Sequence, residues 1–428
     1  MFLTAFTFLL IQYGGVAGAA TVTPAVDSAL TYLTSQQQAD GSYIGFDGTI
    51  NATIGVVLAD AAADRDPRLI RNGGASPVEY LASQSALLGD PATASANTAK
   101  IAQLVLALMS IGEDPYSFGG VDWIALINST YDPATGKYGS FYIHHPWAML
   151  ALASAGVTVP GEAVAFLQTN QEDSGAFAFN GKGTGADTNA TALCLQALVA
   201  SGEPVSSARV QNAVAYLHTQ QNTDGGFPWA NPSLWGTDSD SCSTAWVIQG
   251  LVAAGEDPAG SAWTSGGNTP FDFLAGMQNP SGAFGLMKSW SVDDLMSTYQ
   301  AVPAMLACPF PYYADFGGGG GGNPVVQPAP ENPGSTTGTG DVQSTGSSAK
   351  NKKSSATAAA GTTAIQASAD GKISKLTPES TDAKKNKSVA AGTMEPAGTL
   401  KKILYAFFGF IGGSVAFLAV VTVKRRLA

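Results

Sequence analysis

At 428 residues, with a formal net charge of −11 and 12% charged residues, the chain is long enough to bury a sizeable core. Over residues 25–315 acidic residues outnumber basic ones roughly three to one, which leaves no footprint for phosphate neutralisation and excludes nucleic acid as a partner. Three cysteines, Cys194, Cys242 and Cys308, are an odd set with no close pair, so they are not a disulfide framework, and only a Cys242–Cys308 bridge between the last two units of the chain stays open.

In chain order, residues 2–11 are apolar and Ala17-Gly18-Ala19 offers small residues for cleavage. Residues 1–19 therefore read as a secretory signal peptide, one without a positive n-region. A recurring unit fills residues 20–315. Its clearest copy is Gln-Gln-Asn-Thr-Asp-Gly-Gly-Phe at 220–227, with weaker copies at 36–43, 171–177 and 278–284. An aromatic-Leu pair precedes each (Tyr32-Leu33, Phe166-Leu167, Tyr216-Leu217, Phe273-Leu274), and an Ala/Leu-rich run ending near Gly follows. Two more copies lack the loop: Tyr80-Leu81 leads to a run over 101–112, and Trp123-Ile124 leads to one over 147–156. Such self-similarity, at a spacing of roughly 43 to 57 residues, marks a repeat architecture of six units.

Each unit predicts two helices. The first is apolar at helical spacing, as at Val210, Val214 and Leu217, and the second, as over 192–200, is apolar on almost every side. A helix apolar all round is buried, so the second helices are expected to form an inner ring and the first ones an outer layer. Asp-Gly and Gly-Gly supply the positive φ that stops a helix. Asp187, Asp240 and Asp294 stand four residues before Thr191, Thr244 and Thr298, which suits them to cap the second helices.

Past residue 315 the composition changes to Gly, Pro, Ser, Thr, Ala and Lys. A stretch of that kind cannot bury enough apolar surface to offset its ordering, so 316–400 is expected to be a disordered stalk. Its lysines at 350–353 and 384–387 suit an anionic wall or lipid surface, or are a solvated run. Residues 401–424 read as a transmembrane helix, with about 20 uncharged apolar residues between basic flanks, and 425–428 as a cytoplasmic tail. The repeats would then sit outside the cell on a tether. Asn51, Asn128 and Asn189 match the glycosylation acceptor pattern; the match at Asn189, at an inner helix start, is read as fortuitous.

The pattern Gln-x-x-(x)-Asp-Gly-Gly-Phe followed by Asp-x-x-x-Thr-Ala resembles the α/α-toroid superfamily: prenyltransferase β subunits, squalene and terpene cyclases, cobalamin carriers and complement thioester domains. The resemblance covers about residues 25–308. It implies an all-α toroid of six helical hairpins with ligands in the funnel made by inner helix ends. It is specific for fold and weak for activity.

Several candidate sites follow from it. Asp240-Ser241-Cys242 is similar to the Asp-x-Cys pair that supplies two zinc ligands in prenyltransferases, but residues 293–305 hold no histidine, and two ligands make a poor zinc site. His144 and His145 beside Pro146 read as a helix-start pair, and His218 as an outer-helix residue. Asp238-Ser239-Asp240-Ser241 is similar to the Asp-x-Asp-Asp acid of class II cyclases without its last carboxylate, so Asp238 and Asp240 are the catalytic candidates. The doublet Asp293-Asp294 could share a proton, or simply favour a helix dipole. The stretch over 183–198 resembles the inner-helix start of cobalamin carriers. On that likeness Asp187, Asp240, Asp294 and Gln249 would meet a ligand's polar rim, and Trp229, Trp235 and Trp290 would cover an apolar ring. The expectation is a membrane-tethered extracellular toroid that binds a corrinoid, an isoprenoid-like molecule or a surface partner, with no cofactor and no catalysis. The alternatives are a prenyltransferase or terpene-cyclase-like enzyme, and an adhesive or structural surface protein.

Overall fold

The computed structural model describes residues 23–234 and 236–316. The expected signal peptide, stalk, transmembrane helix and tail, and Trp235, lie outside them. No helix among the described residues is long and apolar enough to cross a membrane.

Thirteen α-helices hold just under half of the described residues. Six line an inner circuit: α2 (Thr49–Ala62), α5 (Ala94–Ser110), α7 (His144–Ser154), α9 (Thr188–Ala200), α11 (Ser241–Ala253) and α13 (Leu295–Met305). Each packs on the next, and α13 packs on α2, so the circuit closes. The apolar runs of the sequence are these helices; in α9 every residue but Ala200 is buried. Around them lie α1 (Pro24–Ser35), α3 (Pro77–Ser83) with α4 (Ser85–Leu88), α6 (Trp123–Asn128), α8 (Gly161–Thr169), α10 (Ala208–Gln220) and α12 (Pro270–Ala275). Of these outer helices α1, α3, α6, α10 and α12 start on side-chain caps, with Ser76 and Thr269 in capping boxes, while α4 and α8 do not; they bury one face only. The second unit departs from the one-helix expectation, because its outer element breaks at Gln84 into α3 and α4.

The repeated loop is a clamp. Gln171, Gln221 and Gln278 each donate to the carbonyl of the glycine four residues on and to a carbonyl of the neighbouring unit: Arg209 in α10, Trp263 ahead of α12 and Ala25 in α1. Gln37 donates to Ile70 and Ala75. The glycine is obligatory for two reasons. At Gly282 φ is +88°, and a Cβ there would fall 2.3 Å from the carbonyl oxygen of Ser28 in α1. The last clamp thus grips the first helix and fastens the ring shut.

A second device, a lock, sets five of the inner helices against their loops. The N–H of the loop aromatic donates to a threonine in the first turns of the inner helix: Tyr43 to Thr53, Phe177 to Thr191, Phe227 to Thr244 and Phe284 to Thr298, at 2.9–3.0 Å. Phe177 and Phe284 also pair with Asp187 and Asp294 as short antiparallel bridges. In the third unit, histidine takes the threonine's place, since the Tyr138 N–H donates to His145 Nδ1 at 3.1 Å.

At their far ends all six inner helices close in one way. The residue after the cap is left-handed and its N–H and the next one bond back into the last turn, as Gly202 to Val199 and Glu203 to Leu198, the Schellman arrangement. That position is Gly112, Gly156, Gly202 and Gly255 in four helices, Asp64 in α2 and Ala307 in α13, where φ is +52°. After Ala307 the chain turns across the circuit instead of starting another outer helix.

Gly282→Ala and Gly48→Ala separate the two demands on the clamp glycine. Gly48 has φ +96° but nothing within 4 Å of its Cβ position. Gly48→Ala should cost about 1–3 kcal/mol through backbone strain alone, and Gly282→Ala at least about 2 kcal/mol more from the forced approach. Equal urea-unfolding midpoints for the two variants would contradict the clamp.

Candidate functional site

The six inner helices begin at one end of the circuit and finish at the other, so residues at matching places in different helices fall in one layer of the interior. Two residues past the lock residue stand Gly55, Trp147, Trp246 and Gln300, and five past it stand Leu58, Gln249 and Pro303, with Gln103 of α5 five past Thr98. All eight line one central cavity, together with Asp47, Asn51, Tyr299 and Phe310. The cavity measures about 40 Å³, room for roughly three or four water molecules at about 10–15 Å³ each.

Its upper wall is polar. Asp47 precedes α2, and its Oδ2 accepts from the Tyr299 hydroxyl at 2.9 Å. The Tyr299 ring can sit there because residue 55 is glycine; a Cβ at Gly55 would fall 2.5 Å from the ring. Burial, only partly offset by the Tyr299 bond, pushes the Asp47 carboxyl up to about 6. Asp294 raises it further, while Lys100 acts the other way. Asp47 Oδ1, Asn51 Oδ1 and Gln300 Oε1 reach almost no solvent and meet no protein donor. Each such acceptor costs about 1–3 kcal/mol until a donor reaches it.

The lower wall is aromatic. Trp147 and Trp246 meet edge to face with centroids 5.4 Å apart, and the Phe310 ring lies 6.0 and 6.1 Å from them. Phe310 belongs to residues 308–316, the segment that crosses the circuit after Ala307. Two buried amides hold its backbone: Gln249 Nε2 donates to the Cys308 carbonyl at 2.8 Å, and the Phe310 N–H donates to Gln196 Oε1 at 2.9 Å. Tyr312 and Tyr313 donate to the Leu58 and Ser154 carbonyls, and the Ala314 N–H donates to the Ser110 carbonyl. Ser110 and Ser154 end α5 and α7, so the segment satisfies carbonyls those helices leave open. At about 0.5–1.5 kcal/mol per bond the segment is firmly seated.

Asp187, Asp240 and Asp294 are the N-caps of α9, α11 and α13, accepting from the N–H groups of Ala190, Ser243 and Ser297 at 2.6–2.7 Å. Both oxygens of Asp240 are engaged, since Ser243 Oγ donates to Oδ2. Burial pushes the pKa of Asp187 up to about 8 and that of Asp240 up to about 6, against the N–H donors that favour charge. Asp238 does not join Asp240. It is exposed on a rim groove of about 370 Å³, where Lys288 Nζ stands 3.1 Å from Asp224 Oδ2. Gln249 does line the cavity, but its amide holds residue 308. Trp229 and Trp290 are half-buried at the rim, with the Trp229 carbonyl accepting from Thr188. All three cysteines are free, so the open Cys242–Cys308 pairing is not formed; Cys242 Sγ lies 3.6 Å from Ser297 Oγ. Among the described residues no group of three His, Cys, Asp or Glu side chains could hold a metal ion.

His144 and His145 are structural. The His145 Nδ1 accepts from Tyr138, so Nε2 carries the proton and donates to the Ala163 carbonyl at 2.9 Å. His144 Nδ1 lies 3.2 Å from the Ser95 carbonyl oxygen. Outside the pair, His218 is exposed on α10 and bonds the Ala262 carbonyl. The sequence reading missed Asp47, Asn51, Tyr299, Gln300, Trp147, Trp246 and Phe310. One signal was available: Thr98, Thr191 and Thr244 are each followed five residues on by glutamine, a polar residue at a fixed place in an apolar run.

Residues 153–291 match the family model of the squalene-hopene cyclase C-terminal domain. No curated protein matches the chain significantly. The apo type II terpene cyclase MstE from Scytonema aligns at a TM-score of 0.47 and 14% identity, over 66% of this chain and 96% of that one. A protein from Actinoplanes aligns at 0.43 and 15%, over 66% and 98%, and a wild-type glycosidase at 0.43 and 13%, over 69% and 100%. At such scores none of these likenesses bears on activity.

Burial lowers the pKa of His144 and His145 from 6.5 to about 4, against their carbonyl bonds. Between those values the unfolded chain binds more protons than the folded one. The contribution of these two rings to stability is therefore complete above about pH 6.5 and is lost towards pH 4, by up to about 3 kcal/mol per ring. His145→Thr restores the lock of the other units and should remove about half of this acid limb in urea midpoints measured from pH 7 to 4. An acid limb as steep as the wild type's in that variant would contradict the assignment.

Proposed function

We infer, for a chain whose repeats form a toroid of the α/α-toroid superfamily of prenyltransferase-like and terpene-cyclase-like proteins, that the central cavity takes an isoprenoid-class ligand and that Asp47 is its acid. The observation that carries this reading is the meeting of a raised carboxyl, Asp47 with Tyr299, and an aromatic wall of Trp147, Trp246 and Phe310 in one cavity. The cyclase family match over 153–291 supports the ligand class.

In this reading the ligand enters at the end where the inner helices begin and lays an alkene against Asp47. The protonated carboxyl gives its proton to one alkene carbon, and the positive charge formed on the other moves along the chain as rings close. Loss of a proton from carbon to a base ends the sequence, so the product is an isomer of the substrate and no oxidant is needed. Tyr299 orients the Asp47 carboxyl, and the indole faces of Trp147 and Trp246 stabilise positive charge. Burial serves the acid: a carboxyl raised to about 6 keeps its proton in a fraction of molecules near neutral pH, as proton donation requires.

One observation favours a second reading, binding without turnover. The cavity of about 40 Å³ is far below the roughly 300–1,000 Å³ of ordinary ligand pockets. In that reading the polar upper wall recognises a ligand's head group and no proton is transferred. The placement of the toroid outside the cell on a tether rests on the sequence of residues 2–11 and 403–423 alone.

The test is incubation of the full-length protein with squalene and with farnesol, followed by mass spectrometry for cyclic isomers of unchanged mass. Asp47→Asn should lower turnover at least about 100-fold while changing ligand affinity little. Because the acid acts protonated, wild-type turnover should fall as the pH rises through about 6. Turnover unchanged in Asp47→Asn would remove the acid, and binding without turnover in the wild type would select the second reading.

A further inference from the structure

Between α13 and the end of the described chain, residues 308–316 depart from the path taken after the five other inner helices. Elsewhere the chain leaves an inner helix and returns to the outer layer; here it enters the circuit and puts a side chain into the cavity. Phe310 is 7% exposed and completes a three-ring cluster with Trp147 and Trp246. Behind it Tyr312 stacks at 5.2 Å between centroids.

The segment is held as a bound peptide would be. Gln196 and Gln249 are buried amides on α9 and α11, and they spend hydrogen bonds on the backbone of residues 310 and 308. A polar side chain on an inner face is costly unless it has such a partner. The two amides are thus explained by recognition of this segment.

We propose that Phe310 is a removable floor: it occupies the apolar end of the ligand path, sets how deep a ligand can reach, and gives way to longer ligands. This rests on the reading of the central cavity as the ligand site. Removal of the ring merges its volume with the space between Trp147 and Trp246, where an apolar molecule finds the aromatic wall that Phe310 now fills. Gln196 and Gln249 are positioning residues, which hold the backbone of the floor in register through residues 310 and 308.

The experiment uses the full-length protein and its Phe310→Ala and Phe310→Leu variants, with two probes. The first is benzene, whose uptake reports the floor whatever the natural ligand is. Benzene should raise the melting temperature of Phe310→Ala by several degrees and leave the wild type unmoved, as an apolar cavity opened inside a folded protein takes up such a molecule. The second is farnesol, measured by calorimetry, which should bind Phe310→Ala at least tenfold more tightly than the wild type. Phe310→Leu, which keeps an apolar side chain there, should fall between them and serves if the alanine variant does not fold. Benzene uptake by Phe310→Ala without farnesol binding to any form keeps the floor and removes the isoprenoid reading. Failure of both folded variants to take up benzene, with farnesol affinity unchanged, overturns the floor.

Discussion

The structure depends on closure. Inner helices that are apolar on nearly every side have no surface to give to water, and a row of them, however long, leaves two ends bare. A circuit in which α13 meets α2 has no ends. The join is held by the same clamp used between neighbouring units: Gln278 donates to Ala25, and Gly282 lets the loop come against Ser28. A repeat protein normally needs capping units at its ends. This one uses its first unit as the cap of its last.

Closure also decides where chemistry can happen. Helix starts gather at one end and helix finishes at the other, with the N-caps Asp187, Asp240 and Asp294 around the first. These aspartates look functional in sequence because they recur, and they recur because each unit needs one to start its inner helix. The residues that break the repeat carry more information. Asp47 and Tyr299 occur once each, from the two units that meet at the join, and their hydrogen bond spans the closure itself. Phe310 likewise follows the sixth unit, where the chain has no seventh to build.

Much of the fold was legible because it is periodic. The aromatic-Leu pairs and Gln-Gly loops marked six units, and the apolar runs separated inner from outer helices. The loss of a continuous outer helix in the second unit was not, since residues 84–88 remain helix-compatible and only packing sets the break. The cavity was far less legible. Which face of an all-apolar helix looks inward cannot be read from its own sequence; it depends on the neighbours. His145 shows the difficulty: beside His144 and Pro146 it reads only as part of a helix-start pair, yet its position in the repeat makes it the counterpart of Thr191 and Thr244. Alignment on the lock residue, rather than on residue type, would have put Trp147, Trp246 and Gln300 in one layer.

The central claim is that the interior of the ring, and not its rim, is where this protein meets its ligand. The most direct test is a crystal structure of the protein grown with farnesol. The account predicts density between Asp47 and the Trp147–Trp246 wall, with the Phe310 ring displaced. Density confined to the rim groove beside Asp238 and Lys288, over an unaltered interior, would contradict it.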